Sequence, residues 1–375
     1  MRLSLHRAML SYGGGLLLHT ASSGPVAGLD TLYLALQDAD GIAATGEVRI
    51  NIAYLNGLAA EAVVTEALAL LPRLDLTPAP ETLLAAPPPL LSRAAAPLRM
   101  LVDLALHDLA AKRAGQPLAA FLGKSELGKS ELGKSEAGPV TYATNQTLFI
   151  SDDATFQRQA QAYVARGFRD LKVRIGAADF TEDLARIRSL RARFGAGVKI
   201  AVDANAAWSL ADAPARLEAL APFDLAYVEQ PVAPVGFDLL ARLAEASPIP
   251  IMLDESVRGE DDAMRLAAGG HRLMAHLKLV KLGGLAPALR AARALAVAGV
   301  PCMIGQMNEG GLATAAALHL CVATQPRFAE LYGADGLSND PAPGLVYADG
   351  LVSAPALPGL GLSFARERTE TLWEN

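Results

Sequence analysis

Three short apolar runs each end in a carboxylate. K-I-A-V-D closes on Asp203, L-A-Y-V-E on Glu229 and P-I-M-L-D on Asp254, with helix-like stretches between them. Parallel strands joined by helical crossovers bring all their C-terminal ends to one face of a sheet or barrel. Carboxylates at neighbouring strand ends therefore converge, and convergent anions repel unless a cation sits among them. An all-oxygen donor set suits Mg2+, with Mn2+ as the alternative. One charge capping a strand end is common, but three in a row at the ends where barrel active sites lie predict a metal-dependent barrel enzyme.

The chain has room for this architecture. Its 375 residues accommodate a barrel of about 250 residues and an accessory domain. Hydrophobic residues make up 52% and charged residues 19%, so a large core can form. A formal charge of -6 with no basic face excludes nucleic acid as the expected partner. Cys302 and Cys321 are too few for a disulfide framework and fit a reducing cytoplasm. No apolar run of membrane-spanning length stands out, so a soluble cytoplasmic protein is expected.

Alternation over the first 60 residues, with a turn at Asp38–Gly41, predicts an antiparallel sheet. Spacing from Gly57 to Leu71 is helical, and R-M-L-V-D-L-A-L-H-D-L-A-A-K-R predicts a second helix closed by Gly115 and Pro117. The tandem L-G-K-S-E run from Leu122 to Glu136 lacks the upstream glycine and strand of a phosphate loop and reads as a solvated linker. From Val140 the pattern alternates strand and helix through V-T-Y-A-T, D-L-K-V-R-I, V-K-I-A-V-D, L-A-Y-V-E, P-I-M-L-D, A-H-L-K-L-V, P-C-M-I-G and F-A-E-L-Y. The expected fold is α/β: a modified TIM (β/α) barrel over residues 139–335 with an N-terminal α+β capping domain over 1–121. Residues 122–138 form the linker, and 336–375 pack back on the capping domain.

Lys172 and Arg174 face the same way on one predicted strand, and Lys278 lies on another. A lysine inside a barrel is costly unless it meets anions or does chemistry. Beside a divalent cation its pKa falls, which makes it a usable base. Lys281, before Gly283–Gly284, reads as loop support. Asn205, two residues past Asp203, and Glu255, directly after Asp254, are placed to orient the metal ligands rather than to bind the ion.

Taken together, D-L-A-L-H-D-L-A-A-K-R-A-G-Q-P-L, L-K-V-R-I-G, V-D-A-N, V-E-Q-P, L-D-E-S, K-L-V-K-L-G-G and G-Q-M-N-E-G resemble the enolase superfamily. Within it they resemble the muconate-lactonizing-enzyme subgroup of the mandelate racemase/muconate lactonizing enzyme family. The likeness spans nearly the whole chain. It implies one Mg2+ held by Asp203, Glu229 and Asp254 that grips a substrate carboxylate. It implies that a barrel lysine removes the proton alpha to that carboxylate, giving an enolate. It also implies a homo-oligomer and a small-molecule carboxylate substrate, with no membrane or nucleic-acid partner.

One position departs from the subgroup. Where relatives carry Lys-x-Lys, this chain has Lys172-Val173-Arg174, and a guanidinium is a poor base. Lys278 matches the acid/base on the opposite face, and Lys172 the lysine that contacts the substrate carboxylate or a metal ligand. One-base chemistry is therefore expected, a cycloisomerase or a dehydratase (lyase), with Arg174 binding an anion or developing charge. A racemase or epimerase of an amino-acid or proline derivative is the alternative, and a non-catalytic metal-carboxylate binding protein the third reading. Glu309 is expected at the active-site wall or in proton transfer. Tyr54, Met307, Asn308 and Tyr332 are expected to contact substrate, and the uncharged segment I-N-I-A-Y-L favours a compact, weakly polar one. His107, His271 and His276 read as packing residues.

Overall fold

The computed structural model describes residues 1–123, 138–177, 179–270 and 272–375. Most of the Gly-Lys-Ser-Glu repeat and all of His271 lie outside them. Alternating residues at the start build β1 (Arg2–Ser11), β2 (Gly28–Gln37) and β3 (Ala43–Arg49). The turn between β2 and β3 is where the sequence put it. The Asp38 carboxylate accepts the amides of Asp40 (3.0 Å) and Ile42 (2.9 Å) and so fixes the loop. The expected helices run over Ala60–Leu70 and Ala96–Arg113. The second presses against β3 at Gly46, where any Cβ would strike the Leu101 carbonyl; only glycine permits this approach.

Eight strands then run parallel in sequential order: β4 (Gln146–Leu148), β5 (Asp170–Arg174), β6 (Lys199–Asp203), β7 (Leu225–Glu229), β8 (Ile251–Leu253), β9 (Leu273–Lys278), β10 (Cys302–Gly305) and β11 (Phe328–Glu330). The Asn145 amide donates to the Ala329 carbonyl at 3.2 Å, nearly closing the barrel between its last strand and its first. V-T-Y-A-T is not the first barrel strand. Val140–Ala143 pairs antiparallel with Leu351–Ala354 in a separate three-stranded sheet. The true first strand, Q-T-L, is fully buried yet largely polar, which hides it from an apolar-run criterion. Leu122 is not linker either: it is buried at the end of the helix Leu118–Gly123.

The last strand, β12 (Glu370–Glu374), pairs antiparallel with β1, so the N-terminal sheet has the order β12-β1-β2-β3. β3 also fastens this sheet to the barrel. Glu47 accepts the amides of Gly310 (2.6 Å), Leu312 (2.9 Å) and Ala313 (3.1 Å) at the open N-terminus of the helix Gly311–Thr324. No described helix is long and apolar enough to cross a membrane.

Candidate active site

The period of two along each strand stacks the barrel interior in layers. Ala201, Tyr227, Met252, Met274, Met303 and Phe328 form one buried apolar layer. Two residues further along the same strands stand Asp203, Glu229, Asp254, His276, Gly305 and Glu330. Register carries this layer around the barrel, since Asp203 pairs with Glu229 and Gly305 with Glu330. Lys278, two residues beyond His276, rises one layer nearer the mouth, as Arg174 does beyond Lys172.

The carboxylates are buried and held by cations. Lys172 Nζ contacts Glu229 (2.9 Å), Asp203 (3.5 Å) and Glu330. Arg174 Nη1 sits on Asp203 and donates to Asn205 Oδ1 at 3.3 Å. Lys278 Nζ donates to Asp254 Oδ2 at 2.6 Å. Lys281, read as loop support, is a partner of the site: its Nζ donates to the other Asp254 oxygen (2.5 Å), to the Asp254 carbonyl (2.7 Å) and to the His276 carbonyl (3.1 Å).

His276 is also more than packing, because its Nδ1 lies 2.8 Å from Glu229 Oε1. Burial, with Lys278 nearby, holds its pKa well below the ordinary value. The imidazole is thus neutral and can donate through Nδ1. Its Nε2 points at Gly305, where a Cβ would clash, so that glycine makes room for the ring. One of its ring nitrogens and one carboxylate oxygen each from Glu229 and Asp254 fall within 4.8 Å of one another.

The donor set suits a hard cation. Burial pushes Asp203 up to about 6 and raises Glu229, despite Arg174 beside the one and Lys172 beside the other. Asp254 stays well below the usual carboxylate range because Lys278 and Lys281 outweigh its burial. Buried oxygens without hydrogen-bond partners remain at Glu255 Oε2 and Glu330 Oε1. More carboxylate oxygen is gathered here than the side-chain cations satisfy, and oxygen donors of this kind bind Mg2+ or Mn2+.

The remaining expectations divide. Tyr54, Met307, Asn308, Asn205, Glu255, Arg174 and Lys278 all line the pocket above the ring. The Asn205 side chain bridges Arg174 and Glu255, and its backbone N–H donates to Asp203 Oδ1 at 2.9 Å. Glu309 and Tyr332 lie behind the wall rather than in it. Glu309 is buried with Oε1 unpartnered, and burial pushes it up to about 7. Tyr332 packs edge-on to Phe149 and donates to Asn308 Oδ1 at 3.4 Å.

Two further residues of this cluster and its pocket escaped the sequence reading. Glu330 ends β11 in the same layer as the triad; against its burial, Lys172, His276, Arg174 and Lys278 together pull it down to about 2. Arg49, one residue before the uncharged I-N-I-A-Y-L segment, brings a guanidinium to the pocket.

Known proteins place this geometry. Residues 155–368 match the enolase C-terminal domain-like family. The chain is 34% identical to the L-Lys-D/L-Arg epimerase of Methylococcus capsulatus over 275 residues, 72% of this chain and 73% of that one. It is 30% identical to muconate cycloisomerase 1 of Pseudomonas putida over 276 residues, 71% and 69% of the two chains. The solved dipeptide epimerase of Enterococcus faecalis, complexed with Mg and the dipeptide L-Leu-L-Tyr, superposes with a TM-score of 0.85 at 25% identity, covering 96% of this chain and 99% of that one. The fold, the matched segment and these relatives together establish that the chain is an enzyme of the enolase superfamily, in the mandelate racemase/muconate lactonizing enzyme family.

Proposed function

We propose that the chain abstracts the proton alpha to the carboxylate of a small acid by one-base chemistry, as a cycloisomerase or a dehydratase. Asp203, Glu229 and Asp254 would hold Mg2+, with His276 and Lys281 orienting two of them. Bound there, the ion would supply positive charge for a substrate carboxylate and for the charge that develops as the proton leaves.

Lys278 is the base in this reading. It is buried, lines the pocket and reaches Asp254 on one side and the Met307 sulfur, at 3.4 Å, on the other. Burial alone would lower its pKa, but Asp254, Glu229 and Glu330 together keep the ammonium above its ordinary range. A cation shared with Asp254 would weaken that hold and free Lys278 to accept a proton.

The observation that carries the one-base reading is Arg174. Burial opposes its charge, but Asp203, with Glu330 and Glu229 nearby, holds it firmly protonated, so it orients Asp203 and Asn205 and offers a fixed positive charge. Lys172, wedged between Glu229 and Glu330, organises carboxylates. The second reading, 1,1-proton transfer by an epimerase, is favoured by the epimerases among the relatives. We further infer a soluble, cytoplasmic homo-oligomer that has neither nucleic-acid nor membrane partners, in keeping with its acidic charge and its two buried free cysteines.

The test is Mg2+-dependent exchange in D2O across muconates, hydroxy acids, hydroxyprolines and N-substituted amino acids. Deuterium entry or water loss that needs Mg2+ and Lys278 supports the proposal. Exchange that persists in the K278A protein would overturn it. Label appearing in both configurations of a recovered substrate would favour the epimerase reading.

A further inference from the structure

Lysines and an arginine hold the oxygens of the metal ligands, but a different residue holds their backbone. β8 ends at Leu253, so Asp254 stands one residue past the ladder. Its amide is taken by a side chain: Gln230 Oε1 accepts the Asp254 N–H at 3.0 Å and the Ser256 N–H at 3.0 Å. The other end of the same group, Nε2, donates to Ser256 Oγ at 2.8 Å and to the Val232 carbonyl at 2.8 Å. Both N–H donors and both lone pairs of the amide are thereby used, in a residue with no exposed surface.

The main chain of Gln230 reaches the other two ligands. It follows Glu229 directly and donates its N–H to the Met252 carbonyl at 2.8 Å. Its own carbonyl accepts, also at 2.8 Å, the amide of Ala206, in the loop that leaves Asp203. One residue therefore ties together the strand ends that carry Asp203, Glu229 and Asp254. The chain is bent to allow this. Gln230 has a φ of 33°, and Asn205 and Ala206 on the facing loop have 43° and 62°, the left-handed region that residues with a side chain seldom enter. Such conformations persist where the surroundings over-determine them, and they gather at functional sites. None of the side-chain hydrogen bonds of Gln230 goes to a ligand carboxylate, so it acts on where the ligands stand and not on their oxygens.

We propose that Gln230 is a positioning residue of the metal centre: its side-chain amide continues the sheet past the end of β8 and fixes the spacing of Asp254 from Glu229. Its carbonyl fixes the loop after Asp203 in the same frame. This deepens the function proposed above and rests on its assignment of Mg2+ to the three carboxylates. Lys281 orients the Asp254 carboxylate; Gln230 places the backbone from which that carboxylate hangs. Glutamine suits the task because a neutral amide offers paired acceptors and donors without adding charge beside three buried acids.

The test is calorimetric titration of the full chain with Mg2+, together with the electron paramagnetic resonance spectrum of Mn2+ bound in its place. Gln230→Met keeps the length of the side chain but cannot pair the Asp254 and Ser256 amides. It should lower Mg2+ affinity about 10- to 100-fold, as the loss of residues that orient ligands does, and change the zero-field splitting of the bound Mn2+. Gln230→Glu still offers oxygen to both amides and should recover most of that loss. Ser256→Ala removes only the hydroxyl that anchors Nε2. It should weaken Mg2+ binding about 2- to 10-fold, the worth of one hydrogen bond, and it decides the matter should Gln230→Met fail to fold. Unchanged affinity with an unaltered Mn2+ spectrum in Gln230→Met, or in Ser256→Ala where that variant decides, would overturn the inference and leave the metal reading standing. A loss in Gln230→Glu as deep as in Gln230→Met would overturn the assignment to the two amides. No Mg2+ binding by the unaltered chain would remove the metal reading and the inference with it.

Discussion

Lys278 Nζ lies 2.6 Å from Asp254 Oδ2, while Lys281 Nζ holds the other oxygen of the same carboxylate at 2.5 Å. One carboxylate is thus gripped from two sides by lysines three residues apart in sequence. The grips differ in kind, because Lys278 borders the pocket and Lys281 does not. Replacing Lys278 with alanine should lower Mg2+-dependent deuterium exchange by about 100- to 10,000-fold, the span typical of a lost acid/base. Mass spectrometry of the recovered substrate reads this directly.

Lys281→Met should act on the metal rather than on the proton. Asp254 loses the donor that fixes its Oδ1 and its carbonyl, and residues that orient a ligand in this way are worth about 10- to 100-fold in affinity. Mg2+ titration followed by the rise in thermal midpoint should show that loss. An unchanged affinity would mean that Asp254 keeps its orientation without Lys281.

Arg174→Lys should put a titratable amine where the present chain has a permanent cation. Exchange should then appear in both configurations of a chiral substrate, with the slower configuration gaining about 10-fold or more. NMR of the labelled product resolves the two. Exchange confined to one configuration in both proteins would show that position 174 does not set the stereochemical course.

His319 links stability to pH. Its Nδ1 accepts the Ala119 amide at 3.0 Å and its Nε2 faces the Leu360 carbonyl at 3.3 Å, both in a buried setting. Burial depresses its pKa to about 4. A depressed value means that stability is fully present above the unfolded value of about 6.5 and is lost as pH falls towards 4. The gap corresponds to roughly 3 kcal/mol. In H319N, whose amide oxygen can still accept from Ala119, this part of the acid dependence should vanish. Urea unfolding at pH 7 and pH 4 should therefore show the wild-type advantage shrinking by about that amount.

Much of this site could be read from the chain because barrel chemistry follows a positional rule: residues at strand C-termini converge. Asp203, Glu229, Asp254, Lys172, Arg174 and Lys278 were found that way. Glu330 obeys the same rule, but it ends a three-residue strand that reads as little more than F-A-E. His276 needed the period of two applied backwards from Lys278, and Lys281 needed the turn after β9 to fold its side chain back under Asp254. Arg49 obeys no local rule. It reaches the pocket only because β3 crosses onto the barrel, a relationship between segments some 250 residues apart in the chain. Q-T-L was missed for a related reason: polar residues on a strand within a barrel look like loop until their neighbours are known.

The pairing of β12 with β1 has a consequence for how the molecule comes into being. β1 finds its outer neighbour only when residues 370–374 have been made, after the entire barrel. During translation β1 has an open edge, with backbone donors and acceptors that a foreign strand could satisfy. Arg49, which borders the pocket, ends a strand of that sheet. The wall of the pocket that this sheet supplies is therefore completed only after the barrel beneath it has been made.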